Sequence, residues 1–231
     1  MAKDQSFQIL DPFKTIDFGI ADWADGIKAW ATENRDVVQP IKWFVNDLIV
    51  AIEGVMQAIP PVAMLGIIWL IAWQAAGQKM AVFVVVCLIF LGLSDPTAWS
   101  LAMTTLAVVA TSVVICVIIG LPMGLLAGKN DRFEFTIRPI LDTMQTIPAF
   151  VYLVPVVMLI GIGNVSGVIV TVVFALPPIV RLTSLGIRQV NASIVEAARA
   201  FGSSPRQILF KVELPLATPS IMAGLNQTIM M

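Results

Sequence analysis

Histidine is absent from this 231-residue chain, and charged residues make up only 13% of it. The first absence removes the side chain most used to bind metals and to move protons near neutral pH. The second excludes an ordinary soluble domain, in which roughly 25% of residues are charged. Net charge is −1, so no basic surface argues for nucleic acid. The two cysteines, Cys87 and Cys116, lie in separate apolar runs without CxxC spacing, and read as packed or lipid-facing thiols. The N-terminus, MAKDQSFQILDPFKTIDFG, lacks the basic start, apolar stretch and cleavage site of a secretory signal.

What is present is apolar: 58% hydrophobic residues and a mean hydropathy of +0.90. A chain of this size cannot cover so much apolar surface with its own polar residues. The bilayer is its natural solvent, and helices that satisfy their own backbone are the expected solution. We therefore expect an all-α, polytopic membrane protein with about five complete spans and the start of a sixth.

Residues 1–40 read as a polar, acidic tail with a short helix near 20–31. In residues 41–58, Ile41, Phe44, Val45, Leu48, Ile49, Ile52, Val55 and Met56 recur at helical spacing, with Lys42, Asn46, Glu53 and Gln57 opposite. This predicts an amphipathic helix, either packed on another helix or lying in the membrane interface. Apolar stretches follow at 60–77, at 80–93 after a turn at Gly77-Gln78-Lys79, and at 99–127, 140–162 and 165–181. A sixth begins after Pro215. Residues 59–98 thus form a transmembrane hairpin, and 99–231 a second unit. A full crossing takes about 20 residues, so the second and fifth stretches are short.

Bases set the orientation. Lys129, Arg132 and Arg138 follow the third stretch, and Arg181, Arg188, Arg199, Arg206 and Lys211 follow the fifth. The loops at Asp95 and Gly163-Asn164 carry none. Placing the basic loops in the cytoplasm puts the N-terminal tail on the outside of the membrane.

Gly120, Gly124 and Gly128 repeat at four-residue spacing, which lets another helix backbone approach closely. Packing within the chain is the preferred reading, and Pro122 suggests a bend. The run GLLAGKN at 124–130 is not a phosphate loop: three residues separate its glycines, and Asn130 stands where Ser or Thr is needed. Asp142, one turn beyond Arg138, is the one acid close enough to a span to be informative, and it reads as interfacial. Without a set of buried acids and bases, an ion-coupled carrier lacks its usual relay.

The stretch 182–215, LTSLGIRQVNASIVEAARAFGSSPRQILFKVELP, is a long polar loop with helical character. Glu196, Ala197 and Ala198 precede Gly202 by the spacing EAA-x3-G, and nine residues later come Val212, Leu214 and Pro215 in VELP. Ser203, Ser204 and Pro205 form a helix start. The prediction is a helix to a stop at Gly202, then a second helix from 205 to 212. Spacing alone allows either an ordinary connector or a docking surface whose small residues admit a partner.

The pattern EAA-x3-G-x9-(I/V)-x-LP resembles the hallmark of permease subunits of bacterial ABC importers, with Val212 at the Ile/Val position. The stretch DTMQTIPAFVYLVPVVMLIGIGNVSGVIVTVVFALPPIVRLTSLGIRQV, together with ILDPF and WQAAG upstream, resembles the glycine betaine/proline importer permeases. The resemblance implies a type I (MetI-like) permease fold for 99–231 and a multi-pass protein of the inner membrane, with the N-terminal tail then in the periplasm. It also implies a homodimer, two cytoplasmic ATPase subunits and a periplasmic binding protein that delivers the osmolyte. Glu196, Ala197, Ala198, Gly202, Val212, Leu214 and Pro215 would belong to the ATPase-coupling motif. ATP would be bound by the partner, with no catalysis and no cofactor or metal in this chain. A quaternary ammonium is commonly held by aromatic rings, which would belong to the binding protein; Trp69, Trp73, Phe150 and Tyr152 read as interfacial anchors here. Family members continue past the position of Met231, so the sequence reads as C-terminally truncated.

Two other functions compete. An ATP-independent channel or ion-coupled carrier for a small amine or amino acid would need buried charges facing a cavity. A membrane-embedded enzyme would need a catalytic cluster, and no Asp/Glu or Ser/Lys grouping suggests one.

Overall fold

The computed structural model describes Gly26, Ala29 and residues 35–95 and 97–231. The helix expected near 20–31 lies outside the described residues except for Gly26 and Ala29, both helical. The described part is helical: α1 Arg35–Ala58, α2 Pro61–Ala76, α3 Gln78–Ser94, α4 Ala98–Lys129, α5 Asp131–Thr146, α6 Ala149–Ile160, α7 Asn164–Arg188, α8 Ala192–Ala200, α9 Pro205–Ile208 and α10 Leu214–Ile229. A π-helical turn, Leu209–Glu213, joins α9 to α10. Among the described residues, three helices are long and apolar enough to cross a membrane: α4, α7 and the continuous Pro205–Ile229. The count rises to five if the bent pairs α1–α2 and α5–α6 each make one crossing.

The centre is α7. It packs against α4, α10, α6, α5 and α1, and residues 175–180 are buried on every side. The seam with α4 depends on missing side chains. A Cβ on Gly120 would lie 2.4 Å from Ile179 Cγ2, one on Gly124 2.5 Å from Thr183 Cβ, and one on Gly128 2.8 Å from Ile187 Cβ. Backbones this close gain van der Waals contact that lipid cannot supply. The helix runs unbroken through Pro122. Cys116 is buried in this core with Leu141, Ala175, Leu176, Ile179 and Val180, whereas Cys87 on α3 is exposed. The hydroxyls of Thr111 and Ser112 bond carbonyls of their own helix at 2.7 and 2.9 Å, and Thr228 reaches from α10 to Ala175 O at 3.1 Å.

Four expectations need correction. The stretch 140–162 is not one helix: α5 and α6 meet at 94°. Ile147, directly before Pro148, is extended (φ −81°, ψ 127°), because the proline ring disfavours the helical region for its predecessor. Tyr152 bridges the corner by donating to Thr143 O at 3.2 Å. Second, the stretch 165–181 continues to Arg188, long enough to cross, so residues 182–188 belong to a span and not to the loop. Third, Pro215 ends nothing. The helix from Pro205 runs on to Ile229, and the wide turn in front of Pro215, with Leu214 N–H donating to Leu209 O, accommodates the missing donor.

The fourth correction concerns α1, whose inward face is rotated from the predicted stripe. Val45 and Ile49 are buried, but Ile41, Phe44 and Val55 are exposed. Lys42 and Glu53, expected on the far side, turn inward. Lys42 donates to Ile160 O at 3.0 Å and Thr104 donates to Glu53 at 2.6 Å. In a bilayer, an apolar side chain is equally at home against lipid, so the polar groups that need partners decide which face turns in. Thus α1 packs on α4, α6 and α7 at the end opposite to the basic loops.

Candidate functional site

The basic ends of the spans converge. Lys129 at the end of α4 forms an ion pair with Glu213 in the π turn. Arg188 at the end of α7 reaches Asp131 and Glu134 of α5, both at 2.6 Å, and donates to Ala127 O of α4 at 2.7 Å. Arg181 pairs with Asp142, so the interfacial acid of the sequence reading has a basic partner on α7. A cavity of about 220 Å³ lies between α5 and α7 among these groups, lined by Glu134, Arg138, Leu141, Arg181, Ser184 and Arg188.

From this platform projects α8. Asn191 caps it, accepting from Ser193 N–H at 3.0 Å and the Ser193 hydroxyl at 2.9 Å. Its end is a Schellman motif: Gly202 N–H donates to Arg199 O at 2.9 Å and Ser203 N–H to Ala198 O at 3.1 Å. That closure requires the left-handed backbone of Gly202 (φ +79°), which glycine adopts without penalty. The next helix starts at once through a reciprocal capping box between Ser204 and Gln207, with Pro205 in its first turn. Two defined caps around one glycine give a stiff corner.

None of the nine residues of α8 is buried. Glu196 and Ala197 are exposed and Ala198 half-exposed. Ile194 is 44% exposed and Phe201, just before Gly202, 89%. A cavity of about 270 Å³ separates α8 from the bases of α7 and α10, lined by Gly186, Gln189, Asn191, Ile194, Leu216 and Ser220. The structure therefore gathers Glu196, Ala197, Ala198 and Gly202 on one projecting corner. Val212, Leu214 and Pro215 lie in the helix behind it, Val212 and Leu214 half-buried and Pro215 exposed. Gly120, Gly124 and Gly128 form a separate feature, the seam with α7.

Residues 120–231 match the family described as binding-protein-dependent transport system inner membrane component. The glycine betaine/carnitine transport permease protein GbuB of Listeria monocytogenes is 40% identical over 219 residues, covering 92% of this chain and 76% of that protein. The chain belongs to this family. The glycine betaine/proline betaine transport system permease protein ProW of Escherichia coli is 51% identical over 229 residues, 98% of this chain. The glycine betaine transport system permease protein OpuAB of Bacillus subtilis is 42% identical over 192 residues. The chain spans 64% of the length of that ProW and 66% of OpuAB. A multi-pass helical protein of the inner membrane is what membership and the apolar helices together require.

Sequence reasoning missed Glu213, quoted only as the variable residue of VELP, and the exposed Phe201; Lys129 and Arg188 entered only as bases that set the orientation, without their partners. Glu213 was detectable. It falls four residues before buried Ala217, on a stripe continued by Gly224 and Thr228, once the helix is not broken at Pro215.

Proposed function

We propose that this chain is the membrane-spanning permease subunit of an ATP-driven importer for glycine betaine and related osmolytes. In this reading a second copy completes the pathway and two ATP-hydrolysing subunits dock beneath. A binding protein delivers substrate from the periplasm. Glycine betaine is the substrate chemistry that the names of GbuB, ProW and OpuAB have in common. Hydrolysis belongs to the partner, and this chain performs no covalent chemistry.

The observation that carries the proposal is the rigid, wholly unburied α8 with Phe201 beside it. A short helix held away from the membrane core, presenting alanines and one large aromatic residue, suits insertion into a groove; aromatic anchors dominate such contacts. The basic end then faces the cytoplasm and α1 the periplasm, in keeping with the distribution of Lys and Arg. Closure of the ATPase pair would carry the two α8 corners together and switch access by rigid-body motion.

The test is a cysteine at Ala197 in the protein reconstituted with its ATPase subunit. Crosslinking to that subunit, together with a rise in ATP hydrolysis on adding binding protein loaded with glycine betaine, is expected. Labelling of Ala197→Cys only from the periplasmic side, or uptake without any ATPase, would favour a carrier or channel instead. Gly202→Asp, which forces a side chain into the left-handed region, should abolish uptake while the permease stays in the membrane.

A further inference from the structure

The ion pair between Lys129 and Glu213 joins two parts of the molecule that are far apart in sequence. The Glu213 side chain is only 7% exposed, and that of Lys129 43%. The Lys129 ammonium sits against both carboxylate oxygens. Among the described residues it is the one partner of that carboxylate. A charge buried to this degree with a single partner is strongly held, because loss of the partner leaves an uncompensated ion.

The surrounding backbone is shaped around it. In an α-helix, residues five apart point about 140° away from each other. Ile208 and Glu213 are five apart, yet both are buried. The π turn Leu209–Glu213 lies between them and widens the helix by one residue, so that both face inward. Such insertions concentrate at functional positions. On one side this turn is packed by α8; on the other it continues into α10, which packs along α7. Lys129 is the last residue of α4, and α4 is locked to α7 through the glycine seam. The path from the exposed corner to the longest span therefore runs α8, π turn, Glu213, Lys129, α4.

We propose that Glu213 and Lys129 are positioning residues that transmit movement of α8 to the α4–α7 pair, so that work done at the docking helix reaches the pathway. The inference rests on the importer reading above. In this role the pair stays closed throughout the cycle. A contact that only stabilised the fold would lower uptake and ATP hydrolysis together. A transmitting contact, once cut, leaves hydrolysis running while uptake fails.

The experiment measures both quantities in proteoliposomes holding the complete complex, with binding protein loaded with glycine betaine. Glu213→Gln is expected to leave stimulated ATP hydrolysis within twofold of the unmodified complex and to lower uptake at least tenfold. ATP consumed per glycine betaine imported would rise correspondingly. Lys129→Gln should do the same, and it carries the test if Glu213→Gln lowers the amount of permease in the membrane, since the Lys129 side chain is half-exposed. Lys129→Arg, which keeps the pair, should stay within threefold of unmodified uptake. An unchanged ratio of hydrolysis to uptake in both glutamine variants would overturn the inference, as would a Lys129→Arg variant as uncoupled as Lys129→Gln. Absence of any stimulation in the unmodified complex would instead overturn the importer reading, and the inference with it.

Discussion

The hairpin α2–α3 and the pair α4–α7 are both apolar, yet they are built differently. Met64 and Ala81 are the only buried residues of the hairpin, and its large side chains, such as Ile71, Phe83 and Phe90, face outward. In the pair, the buried stripe of α4 is small apart from Met103: Ala107, Thr111, Ser112, Cys116, Gly120, Gly124 and Ala127. Hydrophobicity puts a helix into the bilayer but does not say which side meets protein. Lipid is as apolar as leucine, so helices associate through close fit and hydrogen bonds, both of which favour small residues.

The sharpest way to break this comparison is to add the same side chain to a glycine in each region. Gly124→Leu drives a Cβ to 2.5 Å from Thr183 Cβ and 2.9 Å from Val180 O. It should cost about 3 kcal/mol and remove most folded protein from the membrane. Gly66→Leu on α2 meets nothing within 4 Å and should change stability by less than about 0.5 kcal/mol. Thermal unfolding in detergent measures both. Next in size is truncation. Ile179→Ala, in the fully buried centre of α7, should cost about 2–4 kcal/mol. Ile71→Ala on the hairpin should be near neutral by the same measurement. Equal losses at the two sites would mean that the hairpin is also a packed interface.

Smaller effects come from polar groups at the ends of the bundle. Arg188→Met removes the contacts to Asp131, Glu134 and Ala127 O; a loss of about 1 kcal/mol is expected for partly exposed ion pairs. The shift should shrink in high salt if the acids, not the carbonyl, dominate. The smallest effect belongs to Asp95, in the turn where the hairpin meets α4. Its carboxylate accepts from the hydroxyl and the backbone N–H of Thr97, both at 2.6 Å. These bonds hold its carboxyl below the ordinary value of 3.8. With the folded value lowered, the contribution is complete above the ordinary value and disappears as pH falls through the folded one. Titration of the Asp95 carboxyl by NMR should give a midpoint below 3.8, and Thr97→Val should move it upward.

Much of this architecture is legible without coordinates. The hairpin turn at Gly77, the Ser204-Pro205 helix start and the stop at Gly202 all depend on local backbone chemistry that a residue carries wherever it stands. The break at Pro148 is equally local, yet hydropathy does not reveal it, because a proline inside an apolar run leaves the run apolar. The rotated face of α1 was not local. Ile41, Phe44, Val45, Ile49 and Val55 all fit one helical stripe, and only the positions of Ile160 O and Thr104 turn Val45 and Ile49 inward while the other three stay outside. The exposed corner at Gly202 follows from spacing, whereas the buried Glu213 behind it requires knowing that the helix continues through Pro215.

By itself, then, the sequence determines that this chain lives in a bilayer as helices, where the hairpin helices and α4 begin and end, and that a capped corner stands at Gly202. These follow from transfer energies and backbone preferences, which act over a few residues. Tertiary structure alone decides which apolar faces touch, which way α1 turns, and that Lys129 meets Glu213 across 84 positions. In a medium where every side of a helix is already content, partners are selected by steric fit and by the few polar groups that cannot face lipid.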